Sequence, residues 1–136
     1  VARLQKMGIE SFLTASSVDC VVAQRLARKL CPHCKQRTIL SAEALNADGF
    51  RVGADIEAYV PAGCPRCGGT GYRGRVGLYS VMTMSERLKE LTVEHASEAE
   101  LTRAAREEGM RTILEDGLEK VRHGVTSIEE VVRVSR

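Results

Sequence analysis

Two cysteine pairs carry the chemistry of this sequence. "CPHC" sets Cys31 and Cys34 two residues apart, and "CPRC" repeats that spacing at Cys64 and Cys67. A two-residue gap lets both sulfurs of one turn face the same ion. Four thiolates at about 2.3 Å satisfy a tetrahedral zinc and leave no open position for catalysis. The pattern points to structural zinc; iron in a rubredoxin-like site and a redox dithiol are the competing uses. His33 lies between the first two ligands, where geometry disfavours it as a fifth, and is expected to face solvent. Gly68 and Gly69 are expected to supply the unusual backbone angles of the second turn and amides for its sulfurs. The fifth cysteine, Cys20, falls in an apolar helical pattern and reads as a small buried hydrophobe. An odd cysteine and the lack of a secretory leader weigh against a disulfide scaffold.

The second pair opens "GCPRCGGTGYRGRVGLY", which invites two other readings. As a phosphate cradle it fails, because no G-x-x-x-x-G-K-[ST] occurs anywhere in the chain. As a nucleic-acid strand it offers Arg66, Tyr72, Arg73 and Arg75, but the net charge of +2 gives no global basic field. The three histidines (His33, His95, His123) are scattered, and no serine or cysteine is paired with a base, so no catalytic constellation is visible. The acidic pairs Glu107–Glu108 and Glu129–Glu130 read as solvated faces. No apolar run approaches the roughly 18 residues of a membrane span.

The elements that must position the cysteines follow from composition and periodicity. With 136 residues, 4% aromatics and no tryptophan, the core must be aliphatic, which favours packed helices. "ARLQKMG" reads as a helix tail closed by Gly8, and "ESFLTASSVDCVVAQRLARKL" as one longer helix, with Phe12, Leu13, Val18, Val21, Val22 and Leu26 at mostly helical intervals. "SAEALNADG" is a short helix capped at Ser41 and stopped near Gly49, and "RVGLYSVM" a short strand. Beyond it, "SERLKELT" opens on a hydroxyl cap. Ser97 and Glu100 form a capping box for a helix ending at Gly109. Met110, Ile113, Leu114, Leu118 and Val121 mark a third helix that stops at Gly124. Thr126–Glu129 or Ser127–Glu130 then caps a fourth.

The expected fold is mainly α. A helical segment over 1–30 leads to a tetracysteine zinc-knuckle subdomain with short β-strands over 31–79, and a helical bundle fills 80–136. The first residues begin in mid-pattern without a methionine, which suggests the tail of a longer protein.

Three blocks occur in order: "ARLQKMGIESFLTASSVDCVVAQRLARKLCPHCK", "GCPRCGGTGYRGRVGLYSV" and "AREEGMRTILEDGLEKVRHGVTSIEEVVRV". Together they closely resemble the C-terminal end of the type II secretion and type IV pilus assembly ATPases, bacterial traffic ATPases. The likeness runs along essentially the whole chain, and the tetracysteine region followed by "TGYRGR" is its most specific part. It implies that Cys31, Cys34, Cys64 and Cys67 are zinc ligands and that 1–30 is the edge of an ATPase core. It also implies that the phosphate loop, acidic boxes and histidine box lie upstream, so ATP and magnesium belong to the full-length parent and this chain alone does not hydrolyse ATP. The partners implied are the other subunits of a hexameric ring and an inner-membrane platform protein, with no nucleic acid. The location implied is cytoplasmic, peripheral to the bacterial inner membrane. "AQRL", with Gln24 and Arg25, closes the ATPase core in the family. Ser11 stands where proline is usual, and Ser80 where an acid often follows the strand.

Two other functions compete. Cys64, Cys67, Gly69 and Gly71 match the C-x-x-C-x-G-x-G unit of J-type co-chaperone zinc fingers, although "CPHCKQRT" does not repeat it. A zinc ribbon that binds nucleic acid through Arg73 and Arg75 is the other.

Overall fold

A computed structural model describes residues 1–136. In chain order it contains helices α1 (Ala2–Lys6) and α2 (Ser11–Ser17), strands β1 (Cys20–Leu30) and β2 (Gln36–Leu40), helix α3 (Ala42–Ala47), and strands β3 (Ile56–Val60) and β4 (Tyr72–Thr83). Helices α4 (Glu86–Val93), α5 (Glu98–Glu107), α6 (Ile113–Arg122) and α7 (Ile128–Ser135) follow. β1 pairs with β4 and β2 with β3, each as a two-stranded sheet. Helix takes 42% of the chain and strand 24%, so the mainly α expectation holds only in part.

The difference lies chiefly in residues 20–30, expected as the second half of a long helix and found as β1. The helix stops at Ser17, and Val18 turns to extended angles (φ −89°, ψ 119°). Val21 and Val22 are β-branched and stiff in a helix but suit a pleated strand. The apolar spacing had suggested one helical face, yet Val22 and Leu26 are exposed while Ala27 and Leu30 are buried. Pairing with β4 overrides local propensity here. Cys20 is accordingly an exposed strand residue and not a buried one.

The chain divides into two compact units, neither of them one continuous stretch. The first combines residues 1–23 with 80–111. Its core is aliphatic: Met84, Leu88, Leu101, Ala104 and Ala105 are buried, with Val18, Met82 and Leu91 against them. Its helices begin where the sequence places caps. Ser85 accepts from the Leu88 amide, and Ser97 and Glu100 close a reciprocal capping box. Ser11 is the first residue of α2, the position where a proline's fixed φ would be pre-organised. Ser80 Oγ donates to the Arg111 carbonyl at 2.7 Å.

The second unit combines residues 24–79 with 112–136. Ala27, Leu45, Phe50, Ile56, Ala58, Leu78, Leu118, Val121 and Val131 form its core. β2 and β3 run antiparallel, with Gln36 opposite Val60 and Leu40 opposite Ile56. Ser41 caps α3 by accepting from the Ala44 amide, and Gly49 closes it at φ +95°. Thr112 and Glu115 make a capping box that the sequence reading missed. Ser127, not Thr126, caps α7. Helices α6 and α7 approach closely at Gly117, where an added Cβ would stand 2.4 Å from Val131 Cγ1.

Candidate metal centre

The four paired cysteines sit at the ends of strands. Cys31 follows β1 directly, Cys34 precedes β2, and ahead of β4 Cys64 caps a single 3₁₀ turn of which Cys67 is the last residue. The Cys31 amide donates to the Gly71 carbonyl at 2.9 Å, which ties the first knuckle to the second. All four sulfurs lie within 4.8 Å of one another. Cys31 Sγ is 3.8 Å from Cys64 Sγ, Cys34 Sγ is 3.9 Å from Cys67 Sγ, and Cys64 and Cys67 are 3.7 Å apart. Four ligands at about 2.3 Å from one ion define a tetrahedron with edges of about 3.8 Å. The spacing fits such a tetrahedron and is far too long for a disulfide.

Backbone amides face the sulfurs. Cys34 Sγ accepts from the Gly63 amide at 3.3 Å, and Cys67 Sγ accepts from the amides of Cys64 and Gly71, both at 3.2 Å. These donors differ from the expected pair. Gly68 and Gly69 take left-handed angles (φ +66° and +79°), as anticipated, but the Gly69 amide bonds the Cys64 carbonyl instead. Gly63 and Gly71 are the positions with no room for a side chain. An added Cβ at Gly71 would lie 2.5 Å from Pro61 Cβ, and one at Gly63 would lie 2.7 Å from the Gly69 carbonyl oxygen. Both also have positive φ.

The electrostatics match the donor set. Burial pushes the Cys67 thiol up, but the Cys64 and Gly71 amides and the Cys64 and Cys34 thiols outweigh it and hold it down to about 6. Burial drives Cys34 the other way, to about 11, against the Gly63 amide and with the other three thiols adding to the rise. Four thiols this close share protons, and one thiolate forms at the expense of another. A divalent cation would remove that conflict, because each sulfur would release its proton to solvent and meet the ion as a thiolate. The residues present therefore fit a four-thiolate metal.

The remaining polar residues lie elsewhere. His33 is exposed, with both ring nitrogens 3.2 Å from Arg66 Nη1, as expected of a residue outside the ligand set. On exposed β1, Gln24 donates to the Tyr79 hydroxyl and Arg25 to the Gln24 carbonyl. Glu130 departs most from expectation, since it is not a solvated acid. Its side chain is 2% exposed and accepts from Arg28 (amide and guanidinium) and from Arg133. Arg28 also stacks 4.1 Å over the Tyr72 ring, and the Tyr72 hydroxyl lies 2.7 Å from Ser127 Oγ. Of these, only the basic residue of the last turn of α7 could have been suspected from spacing.

A two-knuckle, four-thiol cluster built beside strand ends in a mixed helix-and-strand chain defines a small module suited to holding a metal ion. The chain belongs to the family described as type II/IV secretion system protein, whose model matches residues 1–133. The type IV pilus assembly ATPase PilB of Pseudomonas aeruginosa is 40% identical over 139 residues, covering 100% of this chain and 24% of its own length. The type II secretion system protein E of Dickeya dadantii is 42% identical over 137 residues, 100% of this chain and 27% of its own. The type II secretion system ATPase E of Vibrio cholerae is 40% identical over 136 residues, again 100% and 27%. This chain thus spans about a quarter of the length of the curated relatives it matches.

Proposed function

We propose that this chain is the zinc-binding C-terminal part of an ATPase motor that powers type II secretion or type IV pilus assembly. The observation that carries the reading is the four-sulfur cluster of Cys31, Cys34, Cys64 and Cys67, in a chain whose relatives include proteins named as ATPases of those two systems. Zinc at this site would act as a cross-link, joining the end of β1 to the turn before β4. It would thereby tie the two knuckles to each other. The amides of Gly63, Cys64 and Gly71 would spread the negative charge of the thiolates.

Within the complete motor, the segment 1–30 would belong to the edge of the ATPase core, 31–79 to the metal-bound knob, and 80–136 to helices that pass motion onward. These are divisions of role. The chain would add rigidity and coupling, while ATP and magnesium would be handled by the parent. Its neighbours would be the other subunits of a hexameric ring and a platform protein at the cytoplasmic face of the inner membrane. No helix of the chain is long and apolar enough to cross a membrane.

Elemental analysis of the purified chain is the direct test. One zinc per chain is expected, with Cys34→Ser and Cys67→Ser each losing it. Iron in place of zinc, or full zinc retention by both variants, would overturn the assignment.

A further inference from the structure

Beside the knuckle the second unit carries a cleft of about 500 Å³ whose ionisable lining is entirely basic: Lys29, Lys35, Arg73 and His123. Its floor is buried Leu30 and Gly124, and its rim, including Lys29, Arg73 and His123, is exposed. No acidic side chain lines it. Such concentration is notable in a chain whose net charge is only +2.

The cations are placed with different degrees of engagement. Lys35 is used internally: its Nζ donates to the Gly124 carbonyl at 2.9 Å and sits 4.6 Å over the Tyr59 ring. It thereby neutralises the carbonyl-rich end of α6, which would otherwise repel an anion entering the cleft. Lys29 and Arg73 are engaged by no carboxylate of the chain. The Lys29 stem runs past Gly74, with its Cδ 3.8 Å from where a Cβ would be, and Lys29 and Arg73 line the same cleft. His123 Nδ1 donates to the Glu119 carbonyl at 2.8 Å, which leaves Nε2 as the ring's free nitrogen. Pro32 and Val125 add apolar wall.

We propose that this cleft docks an acidic peptide segment of a partner protein, with carboxylates on Lys29 and Arg73 and an apolar side chain against Pro32 and Val125. Charge complementarity argues for the anion, and the open rim argues for a peptide. A small-molecule pocket encloses roughly 70–90% of its ligand, whereas here both free cations stand in solvent at the mouth. Exposed charges of this kind set recognition and approach rate more than depth of binding. The inference goes beyond the motor reading and does not depend on which metal fills the knuckle.

The test uses the purified, metal-loaded chain and a short fluorescein-labelled peptide of alternating glutamate and leucine, followed by anisotropy. Saturable binding that weakens with salt is expected. Lys29→Gln with Arg73→Gln should weaken it about tenfold, while Arg51→Gln with Arg103→Gln, which removes the same charge elsewhere, should leave it unchanged. Equal loss in both double variants would overturn the proposal, because affinity would then follow net charge alone. So would no binding, or tighter binding of inorganic pyrophosphate or of phosphatidylcholine–phosphatidylglycerol vesicles than of the peptide. Both substituted residues in the cleft are exposed, so the variants should fold, and amide spectra of each verify this.

Discussion

Glu130 shows how far one residue can depart from its sequence neighbourhood. In sequence it is half of an acidic pair at a helix start; in the fold it is a buried carboxylate between two guanidinium groups. Burial raises its pKa, but the bonds from Arg133 and Arg28, including the Arg28 amide, prevail and hold it down to about 2. A carboxyl held below its ordinary value of 4.5 contributes stability above that value and loses it as pH falls toward 2. The contribution is on the order of 3 kcal/mol. Glu130→Gln should therefore cost about 2–3 kcal/mol in urea unfolding near neutral pH. The gap from the native chain should close as pH is lowered from 4.5 toward 2. A gap that persists there would mean that packing, and not charge, ties α7 down. Gly71 is a second such residue. Gly71→Ala would force a Cβ against Pro61 at a positive φ, and should cost about 2 kcal/mol or more of stability while weakening zinc retention. Thermal melts and a chelator competition read the two effects separately.

At the level of elements, helix starts were the most legible features, because capping is written in adjacent residues. Ser41, Ser85 and Ser97 each accept the amide they were expected to accept. The cysteine pairs were legible for the same reason, since each knuckle is local and only their meeting is not. What sequence hid was set by partners far along the chain. β1 looked helical until β4 supplied its hydrogen bonds, and β3 carries too few residues for its alternation to stand out. Gly117 reads as a weak point inside α6, where glycine costs about 1 kcal/mol relative to alanine. In the fold it is the contact point with α7, and Val131 leaves it no room. Gly117→Ala should accordingly destabilise by about 1 kcal/mol net, since overpacking of roughly 1–3 kcal/mol exceeds the propensity gain. In a Val131→Ala background the same change should be neutral or stabilising. A double-mutant cycle measures that coupling, and simple additivity would refute it.

On the scale of the whole molecule, two hydrophobic cores and one thiol cluster share the work of stability. Only the second unit contains the four clustered cysteines, so chelation should act unevenly. Hydrogen exchange after chelator treatment is expected to quicken first at the Gly63, Cys64 and Gly71 amides and along β2 and β3. The α4 and α5 amides, packed on their own core, should keep their protection longer. Uniform loss would indicate that the metal governs both cores at once. The discontinuity of the units carries a further consequence for synthesis. All four thiols have been made by residue 67, whereas Arg28 and Tyr72 wait for Ser127 and Glu130, as many as 102 positions along the chain. Such long-range closure is slow, and local knuckles precede it. If the knuckle takes the metal proposed for it, a nascent chain would load its ion while both cores are still incomplete, and the knuckle would then serve as the template on which α6 and α7 later assemble.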